Sequence, residues 1–136
     1  MFIYLAARFA RWPEIAAKAR ELEAQGHTIT SRWHNGSHTA KFPYDRTAHS
    51  EQLATFAVED LEDIDHADAL VLFTEHGQHQ GGSRHVEAGY AIATKKRIFI
   101  VGPRENVFYH LDQVCQLNTW EELKAKLRKY HGNQAV

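Results

Sequence analysis

A chain of 136 residues, 43% hydrophobic and 24% charged, is long enough to bury a core and has an ordinary globular balance. No apolar stretch approaches the roughly 18–20 residues that span a bilayer, which argues against a membrane protein. The net charge of −1, with no basic stripe interleaved with aromatics, argues against a nucleic-acid polymer as partner. Cys115 is the only cysteine, so no disulfide framework is expected and a reducing cytoplasm is the expected setting.

The opening "MFIYLAARFARWPE" has no basic residue ahead of its apolar run and reads as a first strand, Phe2–Ala6, rather than a signal peptide. Pro13 suits the start of a helix, Ile15, Ala19 and Leu22 repeat at helical spacing, and Gly26 is placed to end it. "HTITSRW" (27–33) is β-branched and roughly alternating, which predicts a second strand. Residues 34–47 lack periodicity and carry Gly and Pro, so they read as a long loop of functional interest.

Leu53, Phe56, Ala57, Leu61 and Ile64 form a second amphipathic face, with Asp60 a candidate break point. "ALVLF" (69–73) and "RIFIV" (97–101) are continuous apolar runs, the mark of strands covered on both faces. Between them lie a loop (74–82) and a helix, Ser83–Thr94, with Val86, Tyr90 and Ala93 on one side. "QVCQL" (113–117) is a candidate fifth strand. Thr119 and Glu122 form a capping-box pattern opening a last helix, with Trp120, Leu123, Leu127 and Tyr130 inward. The basic "KAKLRKYHG" on that helix reads as a solvated face.

Strands alternating with helices predict one α/β domain over residues 1–136, Rossmann-like and doubly wound, with a mostly parallel sheet of four or five strands. Such sheets bind ligands beyond the carboxyl ends of their strands, so the loops after the first three strands matter. Glu87 lies just past the third of these. With Ser83 as helix cap, it stands about one turn inside the helix, where the dipole would favour its ionised form. Pattern alone leaves two readings: a nucleophile or electrostatic stabiliser, or an ordinary surface glutamate. Gly81-Gly82-Ser83-Arg84 admits the same division, between an anion-binding turn and a flexible loop. His76, His79 and His85 lie close in sequence but lack any zinc framework, so neither a metal nor a cofactor is expected. Cys115 reads as a core residue of its strand.

Four segments in order, "FIYLAARF", "EDLEDIDHADALVLF", "GGSRHVEAGYAIATKKRIFIV" and, more loosely, "GPRENVFYHL", resemble the nucleoside 2-deoxyribosyltransferase superfamily, which includes the 2'-deoxynucleoside 5'-phosphate N-hydrolases. They cover about half the chain, and the helix motif E-x-G-[YR]-A is the most specific part. The resemblance implies a Rossmann-like fold and cleavage of an N-glycosidic bond. It implies that Glu87 attacks the anomeric carbon, that Tyr4 orients it, and that Asp60 supports proton transfer to the leaving base. Ala6, Arg8 and Phe9, with Gly82, Ser83 and Arg84, are the expected substrate contacts, Ser83 and Arg84 for a 5'-phosphate. Asn106 is the expected contribution to a neighbouring subunit's site in a homodimer or higher oligomer. The family's aspartate-bearing turn before the glutamate has no counterpart in "HGQHQGGS". Two other readings stay open. One is a nucleotide-binding sensor without turnover. The other is a cytokinin-activating type of phosphoribohydrolase, whose P-G-G-x-G-T-x-x-E signature is half met by "GGSRHVE".

Overall fold

The computed structural model describes residues 1–36, 50–77 and 81–130. Its elements run β1 (Phe2–Ala6), α1 (Trp12–Ala24), β2 (Thr28–Ile29), α2 (Ser50–Asp65), β3 (Ala69–Phe73), α3 (Ser83–Ala93), β4 (Arg97–Val101), β5 (Val114–Leu117) and α4 (Trp120–Arg128). Short 3₁₀ turns occupy Phe9–Arg11 and Val107–His110. The sheet has five strands in the order β2-β1-β3-β4-β5, and every neighbouring pair is parallel. This is the expected α/β architecture, Rossmann-like, with helices on both faces.

Strand composition fixes the layers. Every residue of β3 is buried, because helices cover both of its faces. In β1 the side-chain period of two sends Ile3 and Leu5 to one face and Tyr4 and Ala6 to the other, and all four are fully buried. α2 and α3 pack on each other and against β1, while α1 and α4 share the opposite face, where Glu21 meets Lys124 and Trp120. The inward residues Ile15, Ala19 and Leu22 of α1 and Leu123 and Leu127 of α4 complete the core. Each such aliphatic chain removed from water contributes roughly 1.5–3 kcal/mol before entropy is set against it.

The local signals act as read at several ends. Pro13 lies in the first turn of α1, Gly26 adopts φ +97° after its last turn, and Thr119 accepts from the Glu122 N–H at the start of α4. Four expectations need correction. β2 is only two residues long, because side chains take over its ladder: the Leu5 N–H donates to Ser31 Oγ at 3.1 Å, and Trp33 Nε1 donates to the Leu5 carbonyl at 2.7 Å. α2 runs unbroken through Asp60, and of the face read from sequence Ala57 and Leu61 are exposed, while Asp63 and Ile64 are the buried residues. On α3, Val86 and Ala93 point outward, and Arg84, Ala88 and Ala91 are inward. Ser83 is the first helical residue rather than the cap; Gly82 caps α3 without a side-chain bond. Of the long loop read at 34–47, residues 37–47 lie outside the described residues.

Candidate active site

From β1 the chain moves to β2 on one side, then returns to β3 and continues to β4 and β5 on the other. The order therefore reverses between β1 and β3, and the crevice beyond their carboxyl ends is where a doubly wound sheet takes its ligand. Three residues far apart in sequence meet beside it: Tyr4 from β1, Asp60 from α2 and Glu87 from α3. The Tyr4 hydroxyl donates a hydrogen bond to Glu87 Oε2. Asp60 is close enough to act electrostatically on both.

Burial dominates the protonation of this group. Glu87 is half-buried as a residue, but its carboxyl is at the enclosed end, and desolvation pushes it up to about 8. The Tyr4 bond pulls it back and Asp60 pushes it further up. Asp60 is raised to about 7, first by burial, then by Asp63 and Glu59, with Arg32 opposing. Tyr4 is raised well above the ordinary phenol range by burial and by Glu87. The helix dipole expected to keep Glu87 ionised contributes only about 0.3–1 kcal/mol, and burial outweighs it. In the free site the two carboxyls therefore retain proton between them near neutrality. Among the described residues, Asp60 Oδ1 is buried and has no hydrogen-bond partner. A buried orphan oxygen at a crevice is an available ligand contact.

The glycine turn presents exposed Gly81, with φ +82°, then Gly82 and Ser83 at the N-terminus of α3. Arg84 does not extend into solvent beside them. It is buried, its Nη1 donates to the Gly81 carbonyl at 3.0 Å, and its Nη2 pairs with Glu105 at 3.0 Å. The charge expected to meet a phosphate is thus neutralised inside the protein. Burial alone would raise the Glu105 carboxyl, but Arg84 and the Glu75 N–H outweigh it and hold it low. Arg8 lies at the mouth, where its Nη1 pairs with Glu75 at 2.9 Å; Arg11 approaches the other oxygen of Glu75 at 3.7 Å. Arg11 is itself held by Glu14, its Nε and Nη2 donating at 2.8 and 2.9 Å, so the two guanidiniums of this corner face two carboxylates. Ala6 is fully buried under it, and Phe9 packs at 6.1 Å, ring to ring, on Trp33.

Asn106 caps the turn at Val107–His110 by accepting from the Phe108 N–H. With His85, Val86, Gly89, Phe108 and Tyr109 it lines a largely apolar cavity of about 520 Å³ on the outward side of α3. It therefore does not join Glu87 within this chain's own pocket. His85 is bonded to Tyr109 at 2.5 Å and His76 is exposed; His79 lies outside the described residues. Among the described residues no group of three or more His, Cys, Asp or Glu side chains is placed to hold a metal, and no helix is long and apolar enough to cross a membrane.

Sequence reading did not single out Asp63, Arg32, Glu75 or Glu105. Asp63 had one available signal, its place one helical turn after Asp60. The partners of the others come from remote segments and left no local signature.

The fold and this crevice define a class: doubly wound α/β proteins with a carboxylate pair at the switch point. Among solved structures, the chain is similar to a 2-deoxyribosyltransferase from Bacillus psychrosaccharolyticus, at 18% identity and a TM-score of 0.67, over 91% of this chain and 90% of that one. It is also similar to the CMP N-glycosidase BcmB of Clostridium botulinum, at 17% identity and a TM-score of 0.55, over 96% of this chain and all of that one. Both neighbours belong to the nucleoside 2-deoxyribosyltransferase superfamily, so the resemblance in the sequence motifs is matched by a likeness in fold. No protein-family model and no curated protein matches the sequence itself.

Proposed function

We propose that this protein cleaves the N-glycosidic bond of a nucleoside or nucleoside 5'-monophosphate through a covalent glycosyl–Glu87 intermediate. The observation that carries the reading is the Tyr4–Glu87 hydrogen bond, with Asp60 in the same pocket at the switch point. Glu87, ionised in the productive form, attacks the anomeric carbon as positive charge builds on the sugar. The carbon–nitrogen bond breaks, its electron pair leaves with the base, and Asp60 supplies the proton that base takes up. Water, deprotonated by Asp60, or a second base then displaces Glu87 from the sugar and restores both carboxyls. Tyr4 holds Glu87 in line throughout.

Ser83, the Gly81–Gly82 backbone and Arg8 are the groups for a 5'-phosphate, and Phe9 with Trp33 forms an apolar wall for the base. A monophosphate substrate is supported by the partly exposed guanidinium of Arg8, and by the name of one structural neighbour, a CMP N-glycosidase. The outward cavity beside Asn106, with Val86, Val107, Phe108 and Leu111 exposed around it, is the face for a second copy of the chain. Incubation with a panel of nucleosides and their 5'-monophosphates, scored for free base by chromatography, tests the activity. Mass spectrometry of the acid-quenched protein should find a pentosyl adduct on Glu87. No base released from any member of the panel would overturn the reading.

A further inference from the structure

Arg8 and Glu75 meet across the crevice itself. β1 and β3 run side by side in register up to Ala6 and Leu72, and each of the two residues stands two positions past the end of its strand. Arg8 Nη1 donates to Glu75 Oε1 at 2.9 Å, between side chains 33% and 21% exposed. The pair therefore bridges the point where the strand order reverses. The Arg8 backbone is fixed as well, because its carbonyl accepts from the Arg11 N–H at 2.9 Å. Among the described residues, Glu75 is the one partner of the Arg8 guanidinium, a group with five N–H donors. Arg11 differs: its Nε and Nη2 are taken by Glu14, and its Nη1 stands 3.7 Å from Glu75. Two guanidiniums and two carboxylates balance formally. This corner thus offers an anion directed N–H groups rather than a net field.

Glu75 is itself anchored. Its backbone N–H donates to Glu105 Oε1 at 3.2 Å, and Glu105 Oε2 accepts from Arg84 Nη2 at 3.0 Å. Arg84 Nη1 donates in turn to the Gly81 carbonyl at 3.0 Å. One hydrogen-bonded chain, enclosed at Arg84 and Glu105, thus ties the holder of Arg8 to the glycine turn. We propose that Glu75 is a positioning residue for the substrate's 5'-phosphate. It holds Arg8 at the crevice with its remaining N–H groups left for the anion, in fixed relation to the Gly81–Gly82 backbone. This rests on the assignment of Arg8 and the glycine turn to a 5'-phosphate. An unrestrained arginine loses rotamer freedom when it meets a ligand, and Glu75 imposes that loss before the ligand arrives. An ion pair this exposed adds little to stability, so its contribution is to geometry rather than to folding.

Calorimetric titration with ribose 5-phosphate and with the nucleoside 5'-monophosphates of the panel reads this without turnover. Glu75→Ala should weaken binding of each phosphate about fivefold to tenfold. Glu75→Gln, which keeps an acceptor oxygen for Arg8, should recover most of that loss. Combined with Arg8→Ala, Glu75→Ala should add almost nothing further, because it acts through Arg8. In turnover the loss should fall on KM rather than on kcat. The preference for a monophosphate over its nucleoside should drop by the same factor. Tighter phosphate binding by Glu75→Ala would show that the carboxylate acts by repulsion, and equal losses on phosphates and nucleosides would show a structural strut. Either result overturns the proposal, as does additivity with Arg8→Ala. If the phosphates bind in the expected order but no base is released, the reading of the reaction fails and the role of Glu75 stands. If nucleosides are cleaved and no phosphate binds, the phosphate assignment falls, and this proposal with it.

Discussion

The hydroxyl of Tyr4, in the middle of β1, donates to the carboxyl of Glu87, in the second turn of α3, across 83 positions of sequence. Tyr4 is fully buried, so its ring cannot swing away, and the bond fixes the orientation of the Glu87 carboxyl. Tyr4→Phe should lower kcat/KM about tenfold to a hundredfold, the range of a hydrogen bond to a charged group. The lost bond had favoured the ionised glutamate, so the acidic limb of the pH profile should move to higher pH. A profile with unchanged limbs would show that Tyr4 does not tune Glu87.

Glu87→Gln should abolish at least about a thousandfold of the base-releasing activity, because the covalent route is closed. Its effect on stability has a definite sign. A carboxyl raised to about 8 from an ordinary value near 4.5 stabilises the fold while protonated, and that contribution is lost as pH rises through the folded value. His34, lowered to about 4, acts in the opposite sense, but only below about pH 6.5. Between pH 6.5 and 8 the wild type should therefore lose stability, and Glu87→Gln should gain on it by roughly 1 kcal/mol or more, about 4 °C in Tm. Parallel melting curves for the two proteins over that window would place the Glu87 carboxyl in solvent.

Arg84 and Arg8 should separate cleanly. Arg84→Ala leaves Glu105 enclosed with only the Glu75 N–H and His85 in place of its guanidinium, and breaking a buried pair in this way is worth about 3–5 kcal/mol. Urea unfolding should report that loss, and nucleosides and monophosphates should suffer alike. Arg8→Ala, at the mouth, should leave stability nearly unchanged and weaken turnover of the monophosphate selectively. The reverse pattern would return the phosphate to Arg84.

Gly102 follows β4 with φ +124°, and a Cβ there would meet Thr74 Oγ1 at 2.5 Å and the Thr74 carbonyl oxygen at 2.7 Å. Gly102→Ala must push the end of β3 away from β4, directly under Glu75. A loss of at least about 2 kcal/mol is expected from strain and overpacking together. Urea unfolding should show the midpoint fall with an unchanged slope.

Phe108 is 63% exposed beside the outward cavity of α3, next to Val86 at 69%. Phe108→Glu should convert a dimer or higher oligomer to a monomer in sedimentation velocity at micromolar concentration. If Asn106 reaches a partner's site, the variant should also lose activity in proportion to dissociation. A wild-type chain that sediments as a monomer would remove both expectations.

The sequence by itself determined whatever depends on spacing within one segment. Continuous apolar runs marked β1, β3 and β4, Pro13 and Gly26 marked the ends of α1, and the Thr119–Glu122 pattern marked the start of α4. The motif around Glu87 picked out that residue for the same reason: its surroundings in the chain are unusual. Tertiary structure alone decided what depends on neighbours from elsewhere. β2 stops after two residues because Ser31 and Trp33 satisfy Leu5 with side chains, a substitution no β-propensity records. Arg84 turns inward because Glu105, 21 positions on, is there to neutralise it. Glu87 rises to about 8, against the pull of the helix dipole, because desolvation is a property of the packed crevice and has no counterpart in the order of residues.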